Sequence, residues 1–171
     1  MDIYTVSFFG HRYIEQGALI EERLDTLLHD LITQKEYVEF LIGRDGEFDL
    51  LAASAVKRAI RKYSCGNARL VLVLPYMRAE YRDNEAAFHD YYDEVEICEE
   101  SARAHFKATI QIRNRCMVDR SDLVVCCIQH QSGGAYKTVQ YARREGKRLW
   151  MCLEGSEEVI ISNSECRKSK L

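Results

Sequence analysis

The chain has 171 residues, 47% of them hydrophobic, and a formal net charge of −3. This composition excludes wholesale disorder and is typical of one domain with a substantial core. The acidic balance disfavours a dedicated duplex-DNA binder, which needs a clustered basic face, and nucleic acid is predicted to be an unlikely partner. No apolar run approaches the roughly 20 residues that span a membrane, and the cysteines form no CxxC pair. We therefore expect a cytoplasmic protein with reduced thiols, without a membrane anchor and without a metal site.

Strand-like and helix-like segments alternate along the chain. Continuous apolar runs such as "LVLVL" and "LVVCCI" are typical of buried strands, and apolar residues at intervals of three or four indicate helices between them. In chain order, the predicted elements are a strand at 3–9, a helix at 16–34, a strand at 37–42, a helix from 48 to near 66, a strand at 69–76, a loop with a short helix at 76–94, a short edge strand at 94–98, a helix at 102–120, a strand at 122–128, a helix at 135–145 and a strand at 147–153.

This alternation predicts the fold class and the domain organisation. Strands that alternate with helices build a mainly parallel sheet with helices on both faces, so we predict one Rossmann-like, doubly wound α/β domain. The domain is predicted to cover residues 1–155, and residues 156–171 to form a flexible tail.

Glycines follow three of the predicted strands at their carboxyl ends. The first strand ends on "GHR", the second leads into "GRDG", and the "LVVCCI" strand leads into "SGG". Ligands bind at this edge of an open parallel sheet, and backbone N–H groups at the start of the next helix favour anions. These loops predict a ligand site formed by Gly10, His11, Arg12, Gly43, Asp45, Gly46, Gly133, Gly134 and the nearby Thr138.

Arg113 is a further candidate because of its place on the predicted helix at 102–120. It lies on the same stripe as Phe106, Ile110 and Met117, so the helical spacing directs it towards the sheet. One interpretation is a side chain that buries its stem and exposes its guanidinium to water. The other is a guanidinium delivered to the ligand edge, where it would bind a phosphate.

Five segments together resemble the SLOG superfamily, a group of Rossmann-like domains. These segments are "FFGHR", "GRDGEFD", "LVLVLPY", "RNRCMVDRSDLVV" and "SGGAYKTVQYARREGK". The superfamily includes the DprA single-strand DNA-binding proteins and the "lonely guy" (LOG) phosphoribohydrolases. The resemblance implies a small stand-alone protein that binds a nucleotide or a nucleotide derivative, and it implies a homo-oligomer because such domains commonly pair.

The LOG pattern is matched in its first half and departs in its second. Arg113 stands four residues before Met117, as the catalytic arginine of that pattern does, and Ser121-Asp122 follow. In the PGGxGTxxE part, Ser132 replaces the proline, the loop before Thr138 is one residue longer, and Gln140 and Tyr141 stand nearest to the missing glutamate. Without a carboxylate, the resemblance implies an anion cradle without LOG-type cleavage of the N-glycosidic bond.

Three functions remain open at this point. The first is a binding module that senses or sequesters a small phosphorylated, nucleotide-derived ligand; no other cofactor is implied. The second is a phosphoribohydrolase-like enzyme that uses a relocated carboxylate, with Asp45, Glu47 and Asp49 as candidates. The third is single-stranded nucleic-acid binding of the DprA type, which the acidic balance disfavours.

Overall fold

The computed structural model describes residues 1–158. The strands are β1 Ile3–Gly10, β2 Tyr37–Ile42, β3 Ala68–Leu74, β4 Glu94–Ile97, β5 Leu123–Cys127, β6 Arg148–Met151 and β7 Ser156–Glu157. The α-helices are α1 Gly17–Gln34, α2 Glu47–Tyr63, α3 Ala79–Asp83, α4 Glu85–Tyr91, α5 Glu99–Ala102, α6 Thr109–Asp119 and α7 Gly133–Arg144.

The strands of the described residues form one sheet in the order β4-β3-β2-β1-β5-β6-β7. All neighbouring strands are parallel except β7, which pairs antiparallel with β6. The chain moves outward from β1 to β4 and then returns to β5 on the other side of β1. The strand order therefore reverses between β1 and β5, where sheets of this kind bind ligands. The predicted Rossmann-like α/β fold is confirmed.

Helices cover both faces of the sheet because the central strands are apolar on both sides. On one face, α1 and α2 pack against a cluster that includes Phe8, Phe40 and Phe48. On the other face, a second cluster joins the strands to Met117 of α6 and Val139 of α7. These two layers hold the ends of β1, β2 and β5 in fixed positions relative to α2, α6 and α7.

The predicted helix at 102–120 is wrong in its first part. Residues 106–108 form a 3₁₀ turn, and α6 begins only at Thr109. A ring nitrogen of His105 accepts the Lys107 N–H at 3.3 Å, a local hydrogen bond of the kind that competes with helix formation. Phe106 is therefore 75% exposed and does not belong to the apolar stripe, whereas Met117 is buried as predicted.

The end of the domain also differs from the expectation. Ser156–Glu157, predicted to begin the tail, pair with β6 instead. Arg143 of α7 donates to both carboxylate oxygens of Glu158, from Nε to Oε2 at 2.9 Å and from Nη2 to Oε1 at 2.7 Å. The rest of the predicted tail, residues 159–171, lies outside the described residues.

Candidate functional site

A cavity of about 580 Å³, lined by both apolar and charged residues, opens at the carboxyl ends of β1, β2 and β5. All the predicted site residues except Thr138 line it: Gly10, His11, Arg12, Gly43, Asp45, Gly46, Arg113, Gly133 and Gly134. Asp49, which the sequence offered as a candidate for a relocated carboxylate, also lines the cavity. Sequence reasoning did not identify the other lining residues, namely Phe8, Phe9, Tyr13, Lys107, Ile110, Gln111, Asn114, His130, Ser132 and Ala135. The cavity therefore lies at the reversal of strand order, where the sheet topology places a ligand.

Gly10 and Gly46 bring the loop after β1 against the start of α2. A Cβ on Gly46 would lie 2.5 Å from the Cα of Arg12, and one on Gly10 would lie 2.2 Å from the ring of Phe48. The Glu47 N–H donates to the Arg12 carbonyl at 2.8 Å across the same contact. These two glycines thus permit close packing between protein segments, whereas the sequence suggested close approach to a ligand.

The amino-terminal end of α7 forms the opposite wall. Its N-cap residue, Ser132, has extended backbone and makes no side-chain capping bond, and the first turn contains no acidic residue. Gly133 adopts φ +88°, a left-handed conformation that favours glycine. The N–H groups of this first turn have no intrahelical acceptors, and the helix dipole makes them attractive to an anion.

Thr138 supports this wall from beneath and does not line the cavity. Its hydroxyl donates to the Gly134 carbonyl at 3.0 Å and accepts a hydrogen bond from Asn114 Nδ2 at 3.0 Å. Gln111 Nε2 donates to the same carbonyl at 3.3 Å. The predicted role of Thr138 as a direct ligand contact is thus replaced by a role in fixing the first turn of α7.

Arg113 is 2% exposed, which excludes the interpretation that its guanidinium reaches water. Its Nη2 donates to Asp45 Oδ2 at 2.6 Å, its Nη1 to the Val73 carbonyl at 2.7 Å, and its Nε to Asn114 Oδ1 at 2.9 Å. The guanidinium lies at the cavity as the sequence predicted. Each of its three nitrogens is nevertheless engaged with the protein.

Asp45 is held between two arginines. Arg78 Nη2 donates to Oδ1 at 2.5 Å, while Arg113 binds Oδ2. Burial alone would raise the pKa of the Asp45 carboxyl, but Arg113 and Arg78 together lower it below its ordinary value. Asp45 is therefore an ionised clamp between the loops after β2 and β3 and helix α6.

Asp49 lies in the first turn of α2 and also lines the cavity. Its Oδ2 accepts the Asp45 N–H at 2.9 Å. Burial raises the pKa of Asp49 to about 6, against the opposing effects of that N–H and of Arg113. The sequence placed Asp49 at the helix start but gave no sign of this altered acidity, which depends on the loops packed around it.

His11 links the loop after β1 to the loop before α7. The His130 N–H donates to His11 Nε2 at 3.1 Å, and the two rings lie 4.9 Å apart. Burial and the neighbouring His130 lower the pKa of His11. A neutral His11 with an unprotonated Nε2 is consistent with that contact. His11 therefore lines the cavity and also holds the two loops together.

Two cations at the cavity make no ion pair within residues 1–158, namely Arg12 and Lys107. Arg12 is exposed, and its neighbour Tyr13 is 74% exposed at the same rim. With the matched pair Arg113 and Asp45 set aside, the cavity contains two cations and only the Asp49 carboxyl, so its net charge favours an anion.

The positions nearest to the missing glutamate do not reach the cavity. Neither Gln140 nor Tyr141 lines it, and the Tyr141 hydroxyl donates to Asp119 Oδ1 at 2.7 Å. That hydrogen bond raises the pKa of Tyr141 to about 12, so the phenol stays protonated near neutral pH. Residues 140 and 141 thus supply no acid or base to this cavity.

Two further findings concern the described part of the chain. Within residues 1–158, no cluster of three or more His, Cys, Asp or Glu side chains could hold a metal ion. Over the same residues, no helix has the length and apolar character needed to cross a membrane.

Three solved structures are similar to this chain. DNA processing protein A (DprA) from Streptococcus pneumoniae matches with a TM-score of 0.63 and 14% identity, over 87% of this chain and 50% of that one. DprA from Helicobacter pylori, whose single-stranded DNA binding mode was studied, matches with a TM-score of 0.58 and 14% identity, over 86% of this chain and 64% of that one. The molybdenum cofactor carrier protein from Chlamydomonas reinhardtii matches with a TM-score of 0.53 and 14% identity, over 88% of this chain and 76% of that one.

At this identity the similarities show the fold alone, the Rossmann-like α/β fold that the sequence predicted. The chain spans about half the length of the pneumococcal protein. No protein-family model and no curated protein matches it in sequence. The expectation that nucleic acid is an unlikely partner is not supported, because it came from net charge averaged over the chain and two of these structures are DprA proteins.

Proposed function

We propose that the protein is a binding module for a small phosphorylated ligand of the nucleotide class, with its phosphate at the amino-terminal end of α7. The observation that carries this proposal is the uncapped first turn of α7, which opens into the cavity where the strand order reverses. A ligand phosphate would accept hydrogen bonds from the N–H groups that Ser132 leaves without a side-chain partner. We include cofactor-derived phosphorylated ligands in this proposal, because one similar structure is a molybdenum cofactor carrier protein.

The remaining charges support an anion at the same place. Arg12 and Lys107 lie at the rim without ion-pair partners among residues 1–158, so both are available to a phosphate. Arg113 is paired with Asp45, and its hydrogen bonds maintain the cavity wall beside them. The absence of a carboxylate at positions 140 and 141 supports binding without LOG-type cleavage.

The test is calorimetric titration of the chain with adenosine 5′-monophosphate, for the unchanged protein and for Ser132→Asp. An aspartate at the N-cap position would occupy the free N–H groups with its own carboxylate and repel the phosphate. We expect the affinity to fall at least tenfold while the unfolding temperature stays equal or rises.

Thr26→Asp is the matched control, because it adds the same charge to the exposed surface of α1, away from the cavity. It should leave the affinity unchanged. Absence of binding at millimolar nucleotide in the unchanged protein, or equal affinity in Ser132→Asp, contradicts the proposal.

Single-stranded DNA is a second candidate ligand, favoured by the rim of the cavity. There Tyr13 is 74% exposed beside Arg12, and Lys107 also lines the cavity. An exposed aromatic ring next to unpaired cations is suited to a base and its phosphate. The similarity to two DprA structures, one of them studied for its binding of single-stranded DNA, supports the choice of this ligand.

Fluorescence anisotropy with a labelled oligothymidylate separates the two candidates. Micromolar binding that Tyr13→Ala weakens would favour single-stranded DNA, whereas no shift with the oligonucleotide and clear binding of mononucleotides would favour the small ligand. Self-association and a cytoplasmic location stay predictions from the sequence; light scattering at micromolar concentration decides the first.

A further inference from the structure

Resting on the proposed function, we propose that Asp49 makes the cavity select phosphorylated ligands that also present a hydrogen-bond donor, a hydroxyl or an amino group. Asp49 belongs to the wall after β2, and the phosphate end belongs to the wall after β5. Selection at Asp49 would distinguish nucleotides from inorganic phosphate and from other small anions.

One oxygen of Asp49 has a structural partner and the other does not. Oδ2 accepts the Asp45 N–H, which fixes the carboxyl against the loop after β2. Oδ1 makes no hydrogen bond within residues 1–158. Every fully buried side-chain oxygen and nitrogen of those residues has a hydrogen-bond partner, so Oδ1 is not fully buried. Oδ1 is therefore accessible, and because Asp49 lines the cavity, this oxygen is available to a ligand.

Neighbouring groups on this wall cannot take the same role. Both oxygens of Asp45 are bound by Arg78 and Arg113, and every nitrogen of Arg113 donates to the protein. Asp49 Oδ1 is thus the free acceptor among the acidic groups of the lining. An ionised carboxylate only accepts, so the group that meets it must be a donor.

The sheet sets the distance between the two contacts. β2 and β5 flank β1, so their ends lie about two strand spacings apart, roughly 10 Å. Inorganic phosphate is too small to reach both walls. A nucleoside monophosphate is long enough to place its phosphate at α7 and a sugar hydroxyl or a base amino group near Asp49.

The variant that tests this is Asp49→Asn, because it reverses the polarity of the free position. The amide oxygen can still accept the Asp45 N–H, and the amide nitrogen then presents a donor to the cavity where Oδ1 presented an acceptor. Affinity is measured by calorimetry near pH 7.5, where the carboxyl of the unchanged protein is ionised. The probes are adenosine 5′-monophosphate and inorganic phosphate.

We expect Asp49→Asn to weaken the nucleotide about tenfold or more, as for a lost hydrogen bond to a charged group, and to leave phosphate equal or slightly tighter. Two analogues identify the donor. The 2′,3′-dideoxy nucleotide loses affinity if the donor is a sugar hydroxyl, and purine riboside 5′-monophosphate loses it if the donor is the base amino group.

Glu22→Gln is the matched control, since it removes an exposed carboxylate from α1, outside the cavity lining. It should preserve the ratio of nucleotide to phosphate affinity. An unchanged ratio in Asp49→Asn, or full affinity for both analogues, overturns the selection by Asp49 while phosphate binding stands. Failure of the unchanged protein to bind either probe overturns the proposed function and this inference together.

Discussion

The two walls of the cavity differ in whether their charged and polar groups have partners within the protein. On the wall after β2, Asp45 is bound by Arg78 and Arg113, and Arg113 donates from all three of its nitrogens to the protein. On the opposite wall, formed by the start of α7, the first helical turn is uncapped, and Arg12 at the rim has no ion-pair partner within residues 1–158. The first wall is stabilised from within, and the second leaves its attractive groups for a ligand.

This difference separates the consequences of substitution. A change on the first wall leaves buried charges and carbonyls without partners, so it acts mainly on the free energy of unfolding. The Ser132 side chain makes no capping bond and the Arg12 side chain makes no ion pair within residues 1–158, so a change to either acts mainly on ligand affinity. A change at Asp49 should affect both stability and affinity, because Oδ2 accepts the Asp45 N–H and Oδ1 makes no hydrogen bond within residues 1–158.

The largest effect is expected for Arg113→Ala. It would leave the Val73 carbonyl and Asn114 Oδ1 without their donor and Asp45 with one arginine only. Because breaking a buried ion pair exposes such groups to an apolar interior, the free energy of unfolding should fall by about 3 kcal/mol, measured by urea denaturation. Arg58→Ala removes an exposed arginine of α2 and should change it by about 0.5 kcal/mol or less.

Arg113→Ala also decides between two interpretations of the guanidinium. The sequence alone suggests direct phosphate binding, with a loss of about 1.5–3 kcal/mol in binding free energy. If the variant unfolds at the same urea concentration as the unchanged protein and loses only affinity, the guanidinium exchanges its protein partners for the ligand, and the contrast between the walls is wrong.

Asp49 gives an intermediate effect that depends on pH. Because the pKa of Asp49 in the fold is about 6, above its ordinary 3.8, the folded chain holds this proton more tightly than the unfolded chain does. Stability from this group is therefore full below pH 3.8 and is lost as the pH rises towards and through about 6. Removing the ionisation with Asp49→Asn should stabilise the ligand-free protein near pH 7.5 by roughly 1–2 kcal/mol.

Thermal unfolding of both proteins near pH 4.5 and pH 7.5 measures this effect. The advantage of Asp49→Asn should shrink at the lower pH, because the unchanged carboxyl is then mostly protonated in the fold. A difference between the proteins that is the same at both pH values would show that Asp49 ionises as freely in the fold as in the unfolded chain.

Local patterns in the sequence predicted the sheet and the place of the site, but they could not predict which side chains meet. Continuous apolar runs located β3 and β5, and the glycines after β1, β2 and β5 located the cavity, because strand ends of a parallel sheet share one edge. The clamp of Asp45 by Arg78 depends on how two loops pack, which no periodicity encodes. The sequence did not predict the break in the helix before Thr109, because the hydrogen bond from the Lys107 N–H to His105 produces no change in the spacing of apolar residues.

The smallest effect is expected for the cations at the rim of the cavity that make no ion pair within residues 1–158. Arg12→Ala and Lys107→Ala should each weaken adenosine 5′-monophosphate about two- to fivefold, because an exposed charge contributes about 0.5–1 kcal/mol to a nearby anion. The effect should fade as salt is raised, since exposed charges are screened over about 10 Å at 0.1 M salt. The unfolding temperature should not change, as neither side chain makes an ion pair within residues 1–158.

Arg61→Ala provides the control, because it removes an exposed positive charge from the last turn of α2, at the opposite end of that helix from the cavity. Its effect on affinity should be negligible at every salt concentration. If Arg61→Ala weakens the nucleotide as much as Arg12→Ala does, the effect of Arg12 is a general effect of removing one positive charge and is not local to the cavity. Such a result would leave the first turn of α7 as the main source of anion affinity at the site.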